Sequence, residues 1–88
     1  MKAKKDFILR NVAGEFMLVP TGDEIKSFNG TLMLNEQAAF VWEKLQSSIS
    51  RKVLLDDILN EYDTDEKTAA QDLDDLLTSF LDLGIIEK

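Results

Sequence analysis

"FNGTLMLN", Phe28 to Asn35, is the stretch on which the fold turns. Asn29-Gly30 is a turn dipeptide, and Thr31 to Leu34 is a short run of strand character. Strand alternation predicts Leu32 and Leu34 on one face, Thr31 and Met33 on the other. Asn35 then stops the strand and opens a helix, because its side-chain oxygen can accept an orphan N–H of the first helical turn. Upstream of this junction the residues favour strands; downstream they favour helices.

Upstream, Phe7-Ile8-Leu9-Arg10-Asn11-Val12 and Glu15-Phe16-Met17-Leu18-Val19 are two strand-forming runs joined by Ala13-Gly14, the pattern of a β-hairpin that Pro20 ends. Pro20-Thr21-Gly22-Asp23 predicts a turn, and residues 21–30 a polar loop closed by Asn29-Gly30. Downstream, a first helix is expected from Glu36 to Gln46, with Ala38, Ala39, Trp42 and Leu45 on one stripe. Trp42 on that stripe reads as packing. Ser47-Ser48 breaks the helix. Ser50 caps a second one, with Ile49 and Leu54 placed as a hydrophobic staple and Leu54, Leu55, Ile58, Leu59 and Tyr62 at helical spacing. Tyr62-Asp63-Thr64-Asp65-Glu66 opens a third, where acidic groups suit the positive end of the helix dipole. Ala69, Ala70, Leu73, Leu76, Leu77, Phe80 and Leu81 make its apolar stripe, the strongest helical periodicity in the chain. Gly84 predicts its C-terminal cap, with Ile85-Ile86 tucking back.

The expected fold is therefore α+β: a small three-stranded antiparallel sheet followed by three helices, resembling a winged helix-turn-helix. Eighty-eight residues suggest a single domain, 1–88. No apolar run reaches the roughly 18 residues of a membrane span, and no secretory segment follows the basic N-terminus. A cytoplasmic protein with no membrane partner is the simplest expectation.

The inventory of reactive groups is short. There is no cysteine and no histidine, so the commonest nucleophile, the commonest general base and the best zinc ligands are missing. Asp56-Asp57 and Asp72-Asp74-Asp75 are carboxylates on helices, best read as a solvated acidic surface. Asp63-Thr64-Asp65-Glu66 lacks the glycine of a calcium loop and runs into a helix. The glycines are isolated and form no phosphate-cradling loop. No cofactor, no metal and no catalytic residue is called for. An acyl carrier protein does not fit, because neither Ser47-Ser48 nor Thr78-Ser79-Phe80 has the motif of a prosthetic-group serine.

Charge narrows the partners. The net charge is −7, and residues 1–30 balance at +1 while residues 31–88 balance at −8. A winged-helix regulator would need a basic third helix, yet Lys67 stands alone there against Asp65, Glu66, Asp72, Asp74, Asp75 and Asp82. Nucleic acid is not an expected partner.

The stretches "FILRNVAGEFMLVP", "NGTLMLNEQAAFVWEKL", "YDTDEKTAAQDLDDLL" and the terminal "LGII" resemble PqqD-like proteins over about Phe7 to Ile86. That family is named for a protein of pyrroloquinoline quinone (PQQ) biosynthesis. Its domain is also called the RiPP recognition element, after ribosomally synthesised and post-translationally modified peptides. The resemblance implies a non-catalytic peptide chaperone, not an enzyme. Such a protein binds the leader of a precursor peptide and presents it to a modifying enzyme, often a radical SAM protein. The leader would lie as an added strand against Thr31, Leu32, Met33 and Leu34, with Ala69, Ala70, Leu73 and Leu77 of the third helix as the other wall. Leu32, Leu34 and most of those helix residues also suit a core, whereas Met33 points away from it and is the expected exposed contact. Two other readings stay open at this level: a winged-helix transcriptional regulator, and a subunit that only docks onto a partner enzyme. A homodimer through the free strand edge is a further expectation.

Overall fold

The computed structural model describes residues 1–22, 25 and 30–88. In chain order its elements are β1 (Lys2–Ala3), β2 (Phe7–Val12), β3 (Glu15–Pro20), β4 (Leu32–Leu34), α1 (Glu36–Lys44), α2 (Arg51–Glu61), α3 (Glu66–Leu83) and β5 (Ile86–Glu87). A three-stranded antiparallel sheet in the order β2-β3-β4, followed by three helices, is the α+β fold that the sequence predicts. The chain divides into two units: Lys4–Glu43, and Met1–Ala3 with Lys44–Lys88.

In the first unit, β2 and β3 pair from Phe7↔Pro20 to Val12↔Glu15 without a break. Ala13 and Gly14 form the two-residue turn with φ of 54° and 81°, the left-handed pair that lets a tight turn follow the twist of its strands. Phe7, Leu18 and Leu34 are buried on one face of the sheet. Phe7 meets Trp42 of α1 edge to face, with ring centroids 6.2 Å apart. Ala38, Ala39 and Val41 are buried with Trp42, so α1 hides a broader arc than its predicted stripe. Asn35 caps α1 as expected: the Ala38 N–H donates to Asn35 Oδ1 at 2.8 Å.

Three boundaries differ from expectation. Pro20 does not end β3 from outside but is its last paired residue, opposite Phe7. The strand expected from Thr31 starts at Leu32. The first helix stops at Lys44 rather than Gln46, and just past its end the Leu45 carbonyl accepts the Ala3 N–H at 2.7 Å, one of the carbonyls that a helix end leaves without an intrahelical donor. Asn29, with most of the expected 21–30 loop, lies outside the described residues.

The second unit holds a feature that the sequence analysis did not foresee. β1 and β5 pair antiparallel, Lys2↔Glu87 and Ala3↔Ile86, joining opposite ends of the chain. Met1 is tied in as well: its carbonyl accepts from the Ile49 N–H, and its nitrogen donates to the Ile49 carbonyl, each at 2.9 Å. Ser50 caps α2 by accepting the Val53 N–H at 3.2 Å. Asp65 caps α3 by accepting the Thr68 N–H at 2.7 Å. At the other end of α3, Gly84 is left-handed at φ 74°. There the Ile85 N–H returns to the Phe80 carbonyl at 3.1 Å, and the turned chain can then enter β5. Arg51 forks onto Asp74, Nε to Oδ1 at 2.6 Å and Nη2 to Oδ2 at 3.0 Å, linking the start of α2 to the middle of α3.

Candidate functional site at the sheet edge

β4 is the last strand of its sheet, and among the described residues it pairs with β3 alone. A strand in that position carries backbone donors and acceptors that no neighbouring strand satisfies. Which ones they are follows from the hairpin. A two-residue turn makes its flanking residues a pair that exchange both hydrogen bonds, so Glu15 aims its backbone groups at β2. Those groups alternate sides along a strand. Phe16 and Leu18 therefore aim theirs at β4.

The β3–β4 register is Phe16↔Leu34, Met17↔Met33 and Leu18↔Leu32. Leu32 and Leu34 thus direct their backbone groups to β3, and the N–H and C=O of Met33 point away from the sheet, to its open edge. The same parity explains why β4 begins at Leu32. Pro20, two residues beyond Leu18, faces the β4 side with no N–H to give, and the ladder closes at the Leu18↔Leu32 pair.

Side chains sort the expected site residues. Thr31 is exposed, Leu32 half-buried and Leu34 buried, while Met33 keeps 53% of its surface. Leu32 and Leu34 share the buried face, and Met33 lies on the opposite one, as strand alternation predicts. On α3, Ala69, Leu73 and Leu77 are buried and Ala70 is half-buried. The eight expected residues therefore form two sets, one on β4 and one along a stripe of α3.

The sequence analysis missed what surrounds Met33. Paired residues share a face, so Met33, Met17 and Arg10 form one row across the sheet, flanked by Ile8 beside Val19 and Val12 beside Glu15. Ile8 and Val12 are exposed with Met33. The alternation in "FILRNV" and "EFMLV" held that signal, since every second residue of each run belongs to this outer face.

Perturbed carboxylates lie elsewhere and have structural causes. The Thr68 N–H holds the Asp65 carboxyl below the usual carboxylate range, and the Arg51 guanidinium does the same for Asp74. Asp74 in turn raises Arg51. Among the described residues no group of three or more acidic side chains is placed to hold a metal ion, and no helix is long and apolar enough to cross a membrane.

Two solved structures share the architecture. TbiB1, in complex with the TbiA(beta) leader peptide, is 21% identical with a TM-score of 0.77, over 99% of this chain and 95% of that one. Lasso peptide synthetase B1, complexed with the leader peptide, is 17% identical with a TM-score of 0.74, over 99% and 96% of the two chains. At such identities the likeness is one of fold. No curated protein matches the sequence. The family model for coenzyme PQQ synthesis protein D matches residues 11–86, from the hairpin strand β2 to the first residue of β5, and the chain belongs to the PqqD family.

Proposed function

We propose that this protein is a non-catalytic leader-binding module, a RiPP recognition element acting as one domain over residues 1–88. It takes up the leader of a ribosomally made precursor peptide as a strand beside β4 and presents the remainder to a modifying enzyme of the radical SAM class. The observation that carries this reading is the edge of β4, open among the described residues, with the N–H and C=O of Met33 directed outward. An extended peptide completes such an edge by β-augmentation. Membership of the PqqD family supports the reading, as do two structural neighbours described in complex with leader peptides. The absence of histidine and cysteine from the sequence agrees with a role in binding. The work belongs in the cytoplasm, where a ribosomal product is first available.

Backbone pairing alone is too weak. A net hydrogen bond contributes about 0.5–1.5 kcal/mol, while ordering one peptide residue costs about 1–2 kcal/mol. Two or three apolar leader side chains, at roughly 1.5–3 kcal/mol each when buried, bring affinity towards the micromolar range. A net charge of −7 favours leaders that also carry Lys or Arg. On α3 the same reading assigns Ala69, Ala70, Leu73 and Leu77. Of these only Ala70 is not buried, so it is the α3 position where a peptide should be felt first.

Titration of the isotopically labelled protein with leader segments of precursor peptides encoded beside it tests the proposal. Amide shifts should concentrate at Thr31–Leu34 and on α3. Shifts that appear only when the modifying enzyme is added would make the protein a docking subunit instead, and leader peptides that shift nothing at millimolar concentration would end the proposal.

A further inference from the structure

We infer that the guest peptide is read in a fixed register centred on Met33, and that its recognition pattern is apolar–any–apolar. The inference rests on the leader-binding reading above and adds the chemistry of the segment bound. Within β4 only Met33 has both backbone groups directed to the open edge, because Leu32 and Leu34 give theirs to β3. The ladder cannot continue as full pairs past the C-terminal end of β4. The Asn35 carbonyl already accepts the Ala39 N–H at 2.9 Å, and Asn35 Oδ1 accepts the Ala38 N–H at 2.8 Å. A guest strand therefore pairs with Met33 and extends towards Thr31, so its footprint is short and its register has one anchor.

The faces follow from the anchor. Residues opposite each other across a pair of strands share a face. The guest residue opposite Met33 projects onto the outer face, beside a side chain that is 53% exposed, where little constrains its identity. Its two neighbours project onto the other face, one beside Leu32 and one beside Leu34. That face carries the buried Phe7 and Leu18, yet Leu32 at its margin is only half-buried. Apolar guest side chains at those two positions would complete its cover. They lie two residues apart in the guest, and the pattern holds whichever way the guest strand runs, because alternation does not depend on direction.

A displayed library of random twelve-residue peptides, selected on the full-length protein, provides the probe. One enriched peptide is then synthesised, and amide hydrogen exchange of the protein is measured with and without it. The expected peptides carry apolar residues two apart around a variable position. In the free protein the Leu32 and Leu34 amides exchange slowly and the Met33 amide fast; with the peptide bound, Met33 slows by about tenfold or more. Enriched peptides with apolar residues three and four apart, or a Met33 amide that stays fast in the complex, would overturn the register while leaving peptide binding intact. A library that yields no enriched sequence over bare support overturns the register and the leader-binding reading together.

Discussion

Ala13 occupies a left-handed conformation, φ 54°, that costs a residue with a Cβ about 1–2 kcal/mol. Asparagine tolerates this region better and leads the preference at that turn position. Ala13→Asn should therefore stabilise the protein by roughly 0.5–1 kcal/mol, read as a higher urea midpoint at unchanged slope. A second single-residue prediction separates the two sides of β4. Proline lacks an N–H, and in an edge strand it is tolerated where that N–H faces away from the sheet. Met33→Pro should keep the native circular dichroism spectrum and still weaken peptide binding about fivefold, the worth of one net hydrogen bond of roughly 1 kcal/mol. Leu34→Pro should instead break the pairing with Phe16 and lose the fold. Equal damage from both substitutions, measured by thermal melts, would contradict the assigned parity. The outward direction of Met33's side chain was legible from alternation alone. The direction of its backbone groups was not, because that depends on a turn twenty residues earlier and on the register between strands.

At the scale of elements, local signals located each helix start. Asn35, Ser50 and Asp65 each accept a first-turn backbone N–H on a side-chain oxygen, and a cap interacts with residues three positions on, well inside any sequence window. Gly84 belongs to the same class. Gly84→Ala would place a Cβ at φ 74° and should destabilise by about 1 kcal/mol in urea melts, with loss of exchange protection spreading into β5. Partners distant in the chain left no such signal. Just past the end of α1 the Leu45 carbonyl accepts the N–H of Ala3. β1 and β5 are two residues each and pair residues about as far apart as the chain allows; a strand that short shows no period of two.

For the whole molecule, charge gives the clearest consequences. Exposed Glu66, Asp72, Asp74, Asp75 and Asp82 on α3 face solvent with Lys67 as that helix's only cation, so fluorescence anisotropy with duplex DNA should show no binding even at low salt. The Asp74 carboxyl is held below its usual range by Arg51. Its stabilising contribution is therefore complete above the unfolded carboxylate pKa of about 4 and is lost as pH falls through the lower folded value. The stability gap between the natural protein and Asp74→Asn, read from urea midpoints, should be constant from neutral pH to about 5 and narrow as the pH falls further. A gap that does not narrow at all on acidification would mean that the ionised Asp74 carboxylate does not stabilise the fold. By itself the sequence determined the hairpin, the caps at Asn35, Ser50 and Gly84, the apolar stripes and the acidity that disfavours nucleic acid, since each is an interaction among near neighbours or a sum over composition. The β3–β4 register, the parity that turns the Met33 backbone groups outward and the pairing of β1 with β5 were decided only by the tertiary structure. Pairing between distant segments depends on backbone hydrogen bonds, which every residue except proline can make alike, and the side chains that spell the sequence carry little of that information.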